Sequence, residues 1–197
     1  MDGSISERCV QSLHFDYEAT YQFGDFSRDV ISAWGLATET SIGVGSRDRS
    51  PRLGLRLNFA SGDSNPADDR LGTYSALFPN AAYVSEAAIF APGNGWDVQP
   101  FVEARPARNV TLFVGVDFLW RLSQRDAVYV FPGVPLFQHD ASMERFTGYI
   151  VNLATEWSPS PYVTIRGVYV RNAAGDSILE AGGQDNDFIM LSIGARF

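Results

Sequence analysis

The sequence predicts an all-β fold: an antiparallel up-and-down transmembrane β-barrel, with about eight strands visible. Three observations carry this. Apolar and polar residues alternate over long runs, several runs hold 10–13 residues, and the connections between them alternate short and long. Globular strands usually hold about 5–6 residues, whereas about 9–11 tilted residues cross a bilayer.

The first run is the cleanest. Leu13, Phe15, Tyr17, Ala19, Tyr21 and Phe23 alternate with His14, Asp16, Glu18, Thr20, Gln22 and Gly24. A helix repeats its apolar positions at three and four and would mix these two sets. Residues 30–44 are less regular, with Val30, Trp34, Leu36 and Ile42 set against Ala33, Gly35, Ala37 and Glu39. Leu53, Leu55, Leu57 and Phe59 alternate with Arg52, Gly54, Arg56 and Asn58. Residues 97–106 set Val98, Val102 and Ala104 against Asp97, Gln99, Glu103 and Arg105. Val110, Leu112, Val114, Val116, Phe118 and Trp120 alternate with Thr111, Phe113, Gly115, Asp117, Leu119 and Arg121. Tyr149, Val151, Leu153 and Trp157 oppose Gly148, Ile150, Asn152 and Glu156, and Val163, Ile165 and Tyr169 oppose Thr164 and Arg166. The last run sets Ile189, Leu191, Ile193, Ala195 and Phe197 against Phe188, Met190, Ser192, Gly194 and Arg196. No helix is expected.

The connections give an orientation. Gly45–Pro51, Ala107–Asn109 and Pro159–Pro161 are short; Ser61–Gly95, Ser123–Glu144 and Asn172–Asn186 are long. With the C-terminus in the periplasm, every one of these long loops falls outside and every short turn inside, as in outer-membrane barrels. Tyr21, Phe23, Phe59, Phe118, Trp120, Tyr149 and Tyr169 then lie near the outer ends of apolar faces, and Trp157 and Phe197 near the inner ends. Two aromatic girdles flank the apolar band of a membrane barrel. A soluble β-sandwich also needs one apolar face per strand, so alternation alone admits it.

Composition narrows the function. The 197 residues carry 15 basic groups, all Arg, and 23 acidic ones, a net charge of −8. That argues against nucleic acid as a partner. A single cysteine, Cys9, leaves no intramolecular disulfide or multi-Cys zinc site, and neither His14 nor His139 has a second His nearby. No cofactor and no metal is expected. No window of 18 apolar residues is present, which excludes a transmembrane helix but not spanning strands. Met1 to Cys9 lack the apolar stretch of a secretory signal, so an export signal is expected to have been removed. We divide the chain into an N-terminal flexible segment, 1–12, and a barrel segment, 13–197.

Two stretches resemble the alginate-export family of bacterial outer-membrane barrels. They are LRLNFASGDSNPADDRLGTYSALFPNAAYVSEA, Leu55 to Ala87, and VQPFVEARPARNVTLFVGVDFLWR, Val98 to Arg121. The carrying features are a strand ending in Ser-Gly-Asp, a long loop with an Asp-rich segment and Phe-Pro, a periplasmic hairpin, and a strand ending in Trp-Arg. The segment EWSPSPYVTIRGVYVR and the final IGARF look like the end of the same domain. The resemblance implies an outer-membrane channel for passive export of an anionic polysaccharide of the alginate type, or related anionic solutes, and not an enzyme. It also implies outer-membrane lipid as surroundings and recognition of the C-terminal Phe197 by the barrel-insertion machinery. Family members are larger barrels, so the chain is expected to be the C-terminal portion of one. Eight strands can close alone, but such a barrel is about filled by its own side chains.

The polar faces are expected to line the lumen. The candidate substrate path comprises Arg52, Arg56, Arg105, Arg121, Arg166 and Arg196 with Asp117 and Glu103. Asp16, Glu18, Glu39, Asp97 and Glu156 share those faces. Arg stays charged and binds carboxylates with a planar fork, the chemistry that a chain of uronic acids requires. The acidic neighbours would hold each guanidinium in place; a purely structural network is the simpler reading.

Other signals are weaker. Asp63, Asn65, Asp68 and Asp69 offer oxygen ligands for Ca²⁺, although turn formation explains them as well. The loop Ser61–Gly95 is long enough to fold over the mouth as a gate. His14 beside Asp16 and Glu18 is the nearest approach to an acid–base cluster. Asn109-Val110-Thr111 matches a glycosylation sequon at a periplasmic turn. The alternatives to anion export are a porin for another small solute, a barrel enzyme centred on His14, and a soluble β-rich binding domain.

Overall fold

The computed structural model describes residues 10–45, 51–78, 84–137 and 139–197. Eight long strands form it: β1 (Val10–Phe26), β2 (Asp29–Val44), β3 (Arg52–Ala60), β5 (Gly95–Ala107), β6 (Val110–Arg121), β9 (Phe146–Ser160), β10 (Val163–Ala174) and β11 (Asn186–Ala195). Three short strands lie in the long loops: β4 (Arg70–Leu71), β7 (Val128–Val130) and β8 (Val134–Phe137). The long strands follow one another in the sheet in chain order and pair antiparallel; β4 adds to β2 in parallel, and β7 and β8 make a separate hairpin. This is an up-and-down meander, the β-barrel wall that the alternation predicts. Among the described residues β1 and β11 are its two edges and do not pair with each other.

The two faces are inverted relative to a soluble protein. Asp97, Gln99, Asp117, Asn152 and Asn172 are buried, while Leu53, Leu55, Val102, Leu112, Val114, Leu153 and Ile193 are exposed on the opposite face. A water-soluble sandwich would bury that apolar face at about 25 cal/mol per Å². Its exposure as a continuous band fits lipid contact instead. The sandwich expectation therefore fails.

The strand limits differ from the sequence reading in detail. β1 starts at Val10 rather than Leu13, and β10 runs on to Ala174. The loop after β10 contains a short helix, α1 (Asp176–Glu180), where none was expected; Ser177 and Ile178 are its buried residues. The turn between β1 and β2, at Ser27 and Arg28, lies on the side of the long loops and is nonetheless short. Ser27 has φ 62 there, the left-handed conformation that a tight hairpin demands. Cys9, Pro79 and part of the Gly45–Pro51 turn lie outside the described residues.

The polar face is not uniformly polar. Leu119, Ile150, Val168 and Val170 form a buried cluster on it, with Phe188 and Met190 beside them. Val84, Ala87 and Phe90 of the β3–β5 loop pack against that cluster. The loop thus turns inward and covers the apolar part of the lumenal face.

Candidate functional site: the lumenal arginine ladder

Register brings the lumenal charges together across β2, β3 and β5. Glu39 lies opposite Arg56, Arg52 opposite Glu103, and Arg56 opposite Gln99. Because residues i and i+2 share a face, these pairs stack into a ladder. Glu39 bridges two guanidinium groups, with Oε1 at 2.9 Å from Arg52 Nη2 and Oε2 at 2.8 Å from Arg56 Nε. Arg52 Nη1 reaches Glu103 Oε2 at 3.5 Å, and Glu103 Oε1 receives Arg105 Nη2 at 3.2 Å. Arg52 also donates to Ser41 Oγ at 2.9 Å, and Arg56 to Gln99 Oε1 at 2.9 Å.

An aromatic floor supports Arg56. Its guanidinium carbon lies 4.9 Å from the ring centre of Phe101 and 5.7 Å from that of Phe113. The two rings stack at 5.5 Å. Room for them comes from Gly54: a Cβ there would stand 2.1 Å from the Phe101 ring. A planar cation on an aromatic face keeps its edge free to donate hydrogen bonds.

Arg166 lines an open lumenal recess of about 370 Å³ with Arg56, Arg105, Glu103, Asn152 and Glu156. Its Nη2 lies 2.6 Å from Glu86 Oε1 and its Nη1 3.8 Å from Glu156 Oε2. Of the expected path residues, the structure thus gathers Arg52, Arg56, Arg105, Arg166 and Glu103. Arg196 stands apart, exposed just beyond the end of β11, with its backbone N–H donating to Tyr162 O at 2.9 Å.

Arg121 and Asp117 are placed differently. Arg121 is 1% exposed at the outer end of β6. Its Nε donates to Glu144 O at 3.0 Å, Nη2 to Ser142 O at 2.6 Å and Nη1 to Asp126 O at 3.3 Å. All of these acceptors lie in the loop from Ser123 to Glu144, so the side chain offers no free surface to a solute. Asp117 is 2% exposed, and its Oδ1 lacks a hydrogen-bond partner among the described residues. Neighbouring Asp97 accepts Asn58 Nδ2 at 2.7 Å.

Sequence reasoning missed the organisers of the outer loops. Asp126 Oδ2 accepts the Asp63 N–H at 2.7 Å and the Thr73 hydroxyl at 2.5 Å; its Oδ1 accepts the Ala127 N–H and the Tyr129 hydroxyl at 2.7 and 2.8 Å. Burial and the Asp126 carboxylate push the Tyr129 hydroxyl well above the ordinary tyrosine range. Asn94 adds a clamp: its Oδ1 accepts the Ser123 N–H at 2.6 Å, and its Nδ2 donates to Ala127 O at 2.9 Å. Asp63 and Asp68 spend carboxylate oxygens on the backbone N–H groups of Asn65 and Arg70, which is turn chemistry. No group of three or more metal-ligating side chains occurs among the described residues.

The His14 cluster does not assemble. His14 Nε2 pairs with Ser12 Oγ at 3.1 Å on an exposed strand. Among the described residues no hydrogen bond joins it to Asp16 or Glu18, which follow it at two-residue steps, about 6.6 Å each. On the outward face the aromatic residues form a belt near the outer ends of the strands: Trp96 and Trp120 stack at 4.2 Å, flanked by Phe59, Phe118 and Tyr149.

The aromatic belt and the exposed apolar face are features that the alternation along the strands predicts. No curated protein matches the chain. The family model for alginate export matches residues 1–192 of the 197, so the chain belongs to the alginate-export family.

Proposed function

We propose that this chain forms wall and selectivity lining of a porin-like outer-membrane conduit. Through it an anionic polysaccharide of the alginate type, or a related anionic solute, passes down its gradient. Membership of an export family supports transport over catalysis. The single observation that carries the anion preference is the ladder Arg52–Glu39–Arg56 with Glu103 and Arg105 on one lumenal face.

Each guanidinium in the ladder is partly exposed and only partly neutralised. Arg52 keeps 30% of its side-chain surface accessible and Arg105 61%. A carboxylate moving along the face meets donors on β3 and β5, then Arg166 on β10. The acidic partners hold the guanidinium groups in place and keep each contact weak enough for release, as conduction requires. The solute exchanges one set of hydrogen bonds for another, and no energy source enters.

The test is current through planar bilayers containing the refolded chain. Galacturonate oligomers should block it in a concentration-dependent way, and neutral malto-oligomers of equal length should block it far less. Equal block by both would refute the anion reading and favour a general small-solute porin.

A further inference from the structure

Arg166 already holds a carboxylate, and that carboxylate belongs to the chain itself. Glu86 reaches it from the β3–β5 loop, 80 residues away in sequence. The 2.6 Å contact is a charge-assisted hydrogen bond and the shortest of the lumenal ion pairs among the described residues.

The segment presenting Glu86 is anchored on both sides. Val84, Ala87 and Phe90 are packed against Leu119, Ile150, Val168 and Val170. Phe90 bridges to Val130, Phe131 N–H donates to Ile89 O at 3.0 Å, and Ala91 N–H donates to Tyr129 O at 3.0 Å. Glu86 is therefore delivered to the recess by a fixed piece of backbone rather than by a free tether. Glu156 sits on the other edge of the guanidinium, directly opposite Arg166 in the β9–β10 register. It stays within ion-pair range of the guanidinium at 3.8 Å, on the edge away from Glu86.

Resting on the reading of the lumen as an anion path, we propose that Arg166 is a carboxylate-binding subsite which Glu86 occupies as an internal stand-in for the solute. A uronate carboxylate enters by displacing the Glu86 carboxylate. At the guanidinium one carboxylate replaces another, while the displaced Glu86 keeps its charge on the anchored loop. A neutral sugar cannot make the exchange. The recess thus discriminates by competition as well as by attraction.

The test is calorimetric titration of the full chain in detergent micelles with galacturonate, using galactose as the neutral control. Removing the competitor in Glu86→Gln should tighten galacturonate binding roughly fivefold, the scale of one partly exposed ion pair. Adding Arg166→Gln to that variant should abolish the gain, and galactose should respond to neither change. Glu86→Ser carries the same expectation if Glu86→Gln loses heat-modifiable gel mobility. Equal affinity of variant and wild type overturns the proposal, as does a gain that survives loss of Arg166. Bilayer current separates the two readings: a wild-type chain whose current ignores galacturonate refutes the anion path, while the titration decides the role of Glu86 on its own.

Discussion

Arg121 and Arg52 occupy the same kind of position, an inward-facing site near the end of a barrel strand, and they do opposite things. Arg121 is 1% exposed and spends its guanidinium on the main-chain carbonyls of Ser142, Glu144 and Asp126. Arg52 has a side chain 30% exposed and shares its guanidinium between Glu39, Glu103 and Ser41. Fixed carbonyls saturate Arg121 and bind the outer loop to the wall. Side-chain carboxylates leave Arg52 partly exposed and within reach of a competing anion. The number and kind of acceptors, more than the residue type, separates a structural cation from one that can meet a solute.

The largest expected effect sharpens that contrast. Arg121→Ala leaves the buried carbonyls of Ser142 and Asp126 without this donor and should cost about 3 kcal/mol. Trypsin should then nick the connection between β6 and β9 much faster, at Arg125 or Arg145, with the strands remaining resistant. Unchanged loop protection would show that the carbonyl contacts do not hold the loop.

Gly54→Ala comes next. The added methyl would meet the Phe101 ring, forcing the floor beneath Arg56 to shift at a cost of about 1–3 kcal/mol. Urea unfolding in micelles should show this loss, together with weaker block by galacturonate oligomers. Lost stability with an unaltered block would separate the floor from the ladder.

Alkaline titration probes the outer loops through Tyr129. Its hydroxyl is held protonated in the fold but ionises at the ordinary value of 10.0 once unfolded. The stability it contributes is therefore full below pH 10, declines above it, and is lost as pH rises through the raised folded value. Protease resistance of the loops should fall above pH 10, and Tyr129→Phe should flatten that dependence.

The smallest stability change belongs to Arg52→Gln. A partly exposed pair contributes at most about 1 kcal/mol. The same variant should nevertheless lower the anion-to-cation permeability ratio measured by reversal potential in a salt gradient. A large stability loss with unchanged selectivity would move Arg52 into the structural class with Arg121.

Much of the wall was legible because strand periodicity is local. The runs from Leu53 to Phe59 and from Val110 to Trp120 need only their own sequence to declare two unlike faces. The ladder was legible as a set of residues but not as a set of bonds: Arg52, Arg56, Glu39 and Glu103 stood out, whereas their pairing depends on register. Glu86, Asp126 and Asn94 carried no signal, since an acid or amide in a long loop looks like any turn residue. One clue was present. Phe113, Leu119, Ile150, Phe188 and Met190 are apolar on faces otherwise polar. Such violations mark where something apolar must cover the lumenal face, and Val84, Ala87 and Phe90 cover part of it.

By itself the sequence determined the all-β class, the strand count of the main wall and the family. Each follows from period-two alternation, loop lengths or motif, all of which are read along the chain. Only the tertiary structure decided that Arg121 is a buried clamp, that Arg166 faces a carboxylate of its own chain, and that the β3–β5 loop turns inward. These depend on which distant groups meet, and distance in the chain says nothing of that until strand register and loop packing bring them within hydrogen-bond reach.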